Sequence, residues 1–318
     1  MLHQDLLKQK GIYAYSVRIV TELFHFYPTE FLHLTGLPFY YHRQNLQQRK
    51  MASTFKSNVE ITHIGTATAI LSINGINMLT DPFFSPAGTQ WPPASKEVLL
   101  ENTESPAMAL HDLPVIDAVL LSHENHFDNL DDLGRQLLDG RRVFTTPDGA
   151  KNLAPRPAVH GLQPWESIET TICGKPFQIT ATPCVHFPGH ECTGLIITSP
   201  EFGETNGLPN AIYFSGDTVY VEELAEMRQK FHISIALFNV GAAWVAPEPG
   251  KDLIQITMCG KQAARLFREI EADILVPMHF ESWKHFTEGK DGLRSAFEEA
   301  EIIDQVRWLE PGVKQKII

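Results

Sequence analysis

The sequence places histidine and aspartate residues directly after short apolar runs, and this order restricts the folds that the chain can adopt. Asp81 closes "LTDP", and the turn "SHENHFDNLD" (122–131) follows the run "DAVLL". Later apolar runs lead to His186, Asp217 and His279. A carboxylate or imidazole just beyond a strand is positioned to face a pocket at one edge of a sheet. Five such segments in one chain predict a sheet protein with a polar site at that edge.

The pattern between these residues indicates strands that alternate with helices. Residues 59–80 alternate apolar and polar side chains around Asn74-Gly75, which predicts a β-hairpin. The run "DAVLLSH" (117–123) is typical of a strand buried on both faces, and residues 130–140 and 260–273 have helical spacing. These elements predict a layered sheet protein with outer helices. Further strands are predicted at "RVFTT", "FQITATP", "TGLIIT", "AIYFSGD", "ISIALFNV" and "ILVPMH".

Charge and cysteine content restrict the partners. A net charge of −12 disfavours nucleic acid and anionic membrane surfaces, since both attract basic proteins. A small-molecule substrate is therefore expected. The four cysteines form no CxxC pair, and a chain of 318 residues can bury a large core without disulfides. We expect a cytoplasmic protein, in a reducing compartment. Nothing in the sequence indicates an oligomeric state.

Residues 1–50 differ in composition from the rest of the chain. They contain five of the seven tyrosines and six Lys or Arg against three Asp or Glu. The apolar stretch 13–27 is interrupted by Arg18 and Glu22 and is shorter than the roughly 20 residues of a membrane span, so no transmembrane segment is expected. The acidic residues also disfavour mitochondrial targeting. We interpret residues 1–50 as an extension outside the fold and residues 51–318 as one domain.

A chain that begins at Met51 is expected to fold and to retain metal and activity, because the ordered pattern starts only after that residue. Thermal unfolding, metal content and turnover of the shortened and full chains would be compared. An insoluble product, or one without cooperative unfolding, would show that the aromatic-rich extension packs on the domain.

The motifs resemble those of the metallo-β-lactamase superfamily. "THIGTATAIL", "LTDP", "YFSGDT" and "VPMHFESW" are most similar to the branch that includes ascorbate-lactone hydrolases and phospholipases that release N-acylethanolamines. The likeness covers residues 59–318, and the variant turn "SHENHFDNLD" is similar to one in fungal zinc-dependent hydrolases. The resemblance implies an α/β fold, namely a four-layer αββα sandwich, that holds one or two zinc ions. Manganese or iron would also suit such a site.

The turn departs from the family pattern HxHxDH, so two alignments remain open. Either His123 takes the place of the first histidine with one residue inserted after it, or Glu124 takes that place. We favour His123, because another carboxylate would lower the net charge at the metal and make its water less acidic. Asn129 stands at the last histidine of the pattern, and its amide is a poor zinc ligand. The resemblance implies two metal sites. The ligands of the first are His126, His186 and either His123 or Glu124. Those of the second are Asp128 and His279, with Asn129 as a further candidate, and Asp217 lies between the two sites.

The resemblance also implies a mechanism. Metal-bound hydroxide would open a cyclic amide, carbamate or lactone, with Asp128 as the catalytic residue that orients it. His190 is the expected catalytic proton donor to the leaving group. His63 and Asp81 are expected to lie beneath the ligands and orient them. Trp244 and Trp283 are placed to line a flat apolar pocket, whereas His232 and His285 are given no role.

Two other functions remain open. A phosphodiester or phospholipid hydrolase would require cationic groups near the site, but residues 117–131 and 181–192 contain no Lys or Arg. A metal-poor relative that binds a ligand without turnover would fit Asn129 and the altered histidine spacing. Neither a GxSxG motif nor a phosphate-binding glycine motif is present, so serine hydrolase and nucleotide-dependent chemistry are disfavoured. A role in detoxification is suggested by the resemblance.

Overall fold

The structure, a computed structural model, describes residues 54–91 and 100–318, so the expected extension at residues 1–50 lies outside the described residues. No helix in these two described ranges is long and apolar enough to cross a membrane. The described α-helices are α1 (Asp132–Arg135), α2 (Pro147–Asn152), α3 (Met227–Lys230), α4 (Gly260–Glu269) and α5 (Lys290–Glu299). The described strands are β1 (Val59–Gly65), β2 (Thr68–Ile73), β3 (Ile76–Thr80), β4 (Gln90–Trp91), β5 (Leu100–Glu101), β6 (Ala118–Leu120), β7 (Arg142–Thr145), β8 (Val159–Gly161), β9 (Ser167–Ile172), β10 (Lys175–Pro183), β11 (Thr193–Thr198), β12 (Glu204–Thr205), β13 (Leu208–Phe214), β14 (His232–Asn239), β15 (Trp244–Val245), β16 (Ile254–Gln255), β17 (Ile274–Met278) and β18 (Lys314–Lys316).

The first sheet has the strand order β18-β1-β2-β3-β6-β7-β8. Its β2–β3 hairpin closes with Ile73 opposite Ile76, and the two turn residues Asn74 and Gly75 have φ values of 49° and 86°. Positive φ at both turn residues matches the right-handed twist of the strands. The predicted hairpin is confirmed. Beyond it, β3, β6, β7 and β8 run parallel, so their carboxyl ends meet at one edge.

The second sheet has the order β17-β14-β13-β11-β10-β9, with β12 paired to β13. Strands β9, β10, β11 and β13 are antiparallel neighbours, whereas β13, β14 and β17 are parallel. The eight residues of β14 are buried except for the half-buried His232 at its start. A strand buried on both faces needs other elements packed against each face of its sheet, and this is the case here.

Three apolar cores give the molecule four layers. The central core contains residues of both sheets, for example Leu71 and Leu237. A second core lies between the second sheet and helices α4 and α5, and a third packs the outer face of the first sheet against the α1 and α2 regions. This arrangement is the predicted αββα sandwich.

Two helices differ from the sequence prediction. The helix expected at residues 260–273 ends at Glu269, and Glu271 has a φ of 54°, which is incompatible with a continuing right-handed helix. The helix expected at residues 130–140 is the single turn α1 followed by a 3₁₀ turn at Gln136–Leu138. Helix α5 was not predicted, although its buried face completes the second core.

Candidate metal centre

The strand ends of both sheets converge on one site. From the first sheet come Asp81, just after β3, and the turn at residues 122–131, just after β6. The second sheet contributes residues that follow β10, β13 and β17. The structure brings six of the predicted residues into two adjacent groups, which are His123, His126 and His186 in one and Asp128, Asp217 and His279 in the other.

The first group, the histidine cluster, has three ring nitrogens within 4.8 Å of one another. The Nδ1 of His186 donates to the Ile256 carbonyl at 2.7 Å, which leaves its Nε2 as a lone-pair nitrogen. That Nε2 lies 3.0 Å from Nδ1 of His126. Burial and the neighbouring His186 lower the pKa of His126 to about 3, so this ring is neutral at pH 7. A neutral imidazole is the form that binds a metal.

His123 is oriented by a chain of hydrogen bonds that begins at Asp81. The Ser122 hydroxyl donates to Asp81 Oδ2 at 2.7 Å and lies 2.8 Å from Nδ1 of His123. When Asp81 is ionised, the hydroxyl hydrogen is directed at its carboxylate, so the ring donates its Nδ1–H to Ser122. The Nε2 of His123 then carries a lone pair, and this buried atom has no hydrogen-bond partner. A carboxylate that fixes the tautomer of a ligand histidine in this way is common around metals.

Replacing Ser122 by alanine is expected to weaken metal binding by about 10- to 100-fold, the usual effect of removing a group that orients a ligand histidine. The hydroxyl is buried and makes both hydrogen bonds, so alanine leaves the His123 ring free to turn. Competition with a chromophoric chelator would measure the affinity. Ser295→Ala, on the exposed face of α5, is the matched control and is expected to leave the affinity unchanged.

The second group, the carboxylate cluster, surrounds His279. Nε2 of His279 lies 3.3 Å from Asp128 Oδ2, and its Nδ1 lies 3.6 Å from Asp217 Oδ1. Burial alone would lower the pKa of His279, but the two carboxylates raise it above its ordinary value. Burial alone would raise the pKa of Asp128, but His279 lowers it. Asn239 donates to Asp217 at 2.7 Å and fixes the orientation of its carboxylate.

The two clusters fit a divalent cation. Nε2 of His123 and Nδ1 of His279 are buried without hydrogen-bond partners, although an unpaired buried polar atom is costly. Burial and the nearby Asp217 carboxylate raise the pKa of Asp81 to about 8, because a buried carboxylate beside a second one is poorly stabilised. Three donated hydrogen bonds oppose this rise, and a cation would oppose it further. Imidazoles beside carboxylates form a donor set that suits zinc, manganese or iron.

His123 and Glu124, the two alternatives for the first ligand position, lie in different surroundings. Glu124 lies outside both clusters, because its carboxylate is 3.1 Å from Nη2 of Arg135 and accepts from Asn152 at 2.9 Å. His123 lies inside the histidine cluster. Asn129 is fully buried and donates to Asp81 at 2.9 Å, while its amide oxygen has no partner. The Asn129 amide therefore helps to orient the Asp81 carboxylate, and its oxygen remains free to accept a hydrogen bond or to bind a cation.

The remaining predicted residues occupy the surroundings of the site. His63 donates from Nε2 to the Thr66 carbonyl at 3.0 Å and makes no hydrogen bond to either cluster. His190 is exposed at the mouth, where its Nδ1 accepts from Asn125 at 2.6 Å. A cavity of about 210 Å³ opens over the clusters, with His126, Asp128 and His190 among its lining residues. Trp283 lines this cavity as expected, whereas Trp244 is absent from its described lining.

Sequence reasoning missed His285, Asn125 and Ser122. His285 lines the cavity, and burial lowers its pKa to about 4, so it is neutral at pH 7. Its approach to the site depends on the loop after β17, for which the sequence has no periodic signal. Ser122, in contrast, directly precedes His123 at the end of an apolar run. A hydroxyl next to a predicted ligand was a usable signal.

Comparisons with known proteins agree with this fold. A model of the beta-lactamase superfamily domain matches residues 76–280. A metal-dependent hydrolase of Methanopyrus kandleri is 26% identical over 258 residues, which cover 80% of this chain and 98% of that protein. The mitochondrial N-acyl-phosphatidylethanolamine-hydrolyzing phospholipase D of Saccharomyces cerevisiae is 24% identical over 250 residues, which cover 75% of this chain and 52% of that protein. The crystal structure of an isothiocyanate hydrolase from Delia radicum gut bacteria superposes with a TM-score of 0.65 at 22% identity, covering 81% of this chain and 99% of that one.

Proposed function

Because the chain belongs to the metallo-β-lactamase superfamily, we propose that this metal-dependent hydrolase opens a small, uncharged cyclic amide, carbamate or lactone. The observation that carries the proposal is the position of the two clusters beside a largely apolar cavity. Hydrolysis of an uncharged carbonyl compound requires a nucleophile and a group that stabilises the developing oxyanion. It does not require a positively charged side chain to hold the substrate. Zinc is the proposed ion, since imidazoles provide four of the six candidate ligands.

The ligands in this proposal are His123, His126 and His186 at one position, and Asp128, Asp217 and His279 at the other. A bound divalent ion would supply a water with a pKa near 7 and a Lewis acid for the carbonyl oxygen. Asp128, whose pKa is held below its ordinary value, is ionised at neutral pH and can accept a hydrogen bond from the attacking water. Its hydrogen bond to His279 fixes the direction of that carboxylate.

His190 is the proposed proton donor to the leaving group. Since its Nδ1 accepts from Asn125, Nε2 is the ring nitrogen that carries the hydrogen, and the described residues give it no hydrogen-bond partner. His190 also lines the cavity, so this N–H can reach a bound molecule. The neutral His285 ring offers a second hydrogen-bonding group in the same wall.

A phospholipid or other phosphodiester substrate is the second candidate, because one relative is a phospholipase. Phosphate is usually held by Arg or Lys. The described residues that line the cavity include neither. Arg135, which lies near the turn, is already paired with Glu124. The chemistry of the described wall therefore favours the carbonyl substrate.

The test combines elemental analysis of the purified protein with a substrate screen. We expect one or two zinc ions per chain and hydrolysis of δ-valerolactone or dihydrocoumarin, but no hydrolysis of bis(p-nitrophenyl) phosphate. Release of p-nitrophenol with no lactone opening would favour the phosphodiester function. A protein that binds no metal after incubation with zinc, manganese or iron would be the non-catalytic ligand-binding relative.

A further inference from the structure

The walls of the cavity are aromatic on several sides. Trp91 and Phe127 pack edge to face with ring centroids 4.5 Å apart, and both line the cavity. Phe187 and Trp283 form further walls, with the Phe187 ring 5.9 Å from that of His126. Trp283 is held from behind by Phe83, whose ring centroid is 5.5 Å away. Rings fixed in this way form rigid flat surfaces against which a planar ligand can stack.

The volume of the cavity suits a molecule of one or two small rings. An apolar cavity of roughly 150 Å³ is known to hold benzene. The cavity here, at about 210 Å³, leaves room for a second ring fused to the first. A single saturated five- or six-membered ring would leave aromatic wall uncovered and would lose the corresponding contacts.

The polar groups of the wall are sparse. Besides the metal-cluster residues, three lining side chains have a buried polar atom without a hydrogen-bond partner, namely Nε1 of Trp283, Oδ1 of Asn125 and Nδ1 of His285. The Trp283 side chain belongs to a residue that is only 3% exposed, so its N–H is shielded from solvent. An indole N–H is a donor only, and its partner must be an acceptor such as a carbonyl or ring oxygen.

We infer that the cavity selects a flat, uncharged aromatic ring fused to the cyclic amide or ester, with an oxygen atom at the ring edge that accepts from Trp283. The inference rests on the proposed function for the bond that is broken, but the selection itself depends only on the walls. Trp91, Phe127, Phe187 and Trp283 stack on the aromatic ring, and the fused carbonyl faces the clusters. Trp283 is thereby a specificity-determining residue.

The first experiment measures binding without turnover. 1-Indanone carries a ketone that is not hydrolysed, and cyclopentanone is the same ketone without the aromatic ring. Calorimetric titration of the zinc-loaded full chain is expected to show 1-indanone bound about 100-fold more tightly, because four additional apolar carbons are buried. Equal affinities for the two ketones would overturn the inference.

The second experiment tests Trp283 with a matched control. Trp283→Phe retains an aromatic wall but removes the N–H, and it is expected to weaken binding of 4-chromanone, a ketone with an additional ring oxygen, about three- to tenfold. It should not change the affinity for 1-tetralone, which has the same ketone but no ring oxygen. Trp308→Phe is the control, since Trp308 packs against Phe280 and Phe297 away from the described cavity wall. Equal losses for 4-chromanone and 1-tetralone in Trp283→Phe would assign this residue a packing role only and overturn its part in selection.

Substrate comparison separates this inference from the proposed function. The zinc-loaded protein is expected to hydrolyse dihydrocoumarin with a larger kcat/KM than δ-valerolactone. Equal kcat/KM values would leave the hydrolase function standing and overturn the aromatic selection. Tight binding of 1-indanone with hydrolysis of neither lactone would overturn the proposed reaction and leave the aromatic selection standing.

Discussion

His123→Ala is expected to lower metal affinity and turnover by more than about 100-fold, whereas Glu124→Ala leaves both nearly unchanged. Loss of a group that merely orients a ligand costs 10- to 100-fold, so loss of the ligand itself should cost more. The His123 ring lies inside the histidine cluster with an unpartnered Nε2. The Glu124 carboxylate lies outside that cluster and accepts hydrogen bonds from Arg135 and Asn152. Elemental analysis and lactone hydrolysis would be measured on both variants.

The paired variants also control for each other, since they are adjacent in the same turn. Thermal unfolding in the presence of a chelator would show whether either alanine disturbs the fold itself. If Glu124→Ala abolished metal binding while His123→Ala retained it, the alternative alignment would be correct and the turn would have to rearrange around the ion.

Asp217→Asn is expected to have an effect of similar size, because it removes a negative charge while keeping nearly the same shape. The carboxylate lies between Asn239, which donates to it at 2.7 Å, and His279, 3.6 Å away. An amide at this position would supply no charge to a cation and would direct two N–H groups into the cluster. We expect metal content to fall below one ion per chain and kcat to fall more than about 100-fold.

Asp139→Asn is the matched control for that variant. Asp139 pairs with Arg156 at 2.7 Å, and its side chain is 71% exposed. An exposed ion pair contributes at most about 1 kcal/mol, and this one lies outside both clusters. Full metal occupancy and normal turnover in Asp217→Asn, with the control behaving in the same way, would remove Asp217 from the proposed ligand set.

The fold was predictable where each strand carries its own local signal. Asn74-Gly75 fixes the β2–β3 hairpin, because both residues tolerate positive φ. The layer order came from the family resemblance, since periodicity alone does not determine which sheets face each other. Helix α1 was predicted too long because the spacing of apolar residues in 130–140 is also satisfied by one α-helical turn and one 3₁₀ turn. Tertiary packing decides between these forms.

The order of the site residues was readable from strand ends, but their roles depend on tertiary contacts. His123 and Glu124 are both chemically competent ligands. What distinguishes them is the contact of Arg135 with Glu124, a tertiary contact that the sequence does not indicate. Residue His285 was overlooked because it lies in an irregular loop, where no period indicates the direction of a side chain. Trp244 was expected in the pocket on its position in the sequence alone, and the described lining does not include it.

The division of the site between the two sheets has a consequence for the order of folding. His123, His126 and Asp128 follow strands of the first sheet, whereas His186, Asp217 and His279 follow strands of the second. Contacts so distant in sequence form late, since loop closure must be completed before they are gained. Neither half of the chain alone contains a complete ligand group for either cluster. We therefore expect the chain to bind metal only after the two halves have packed together. The bound ion should then slow unfolding, because it stabilises the packed state.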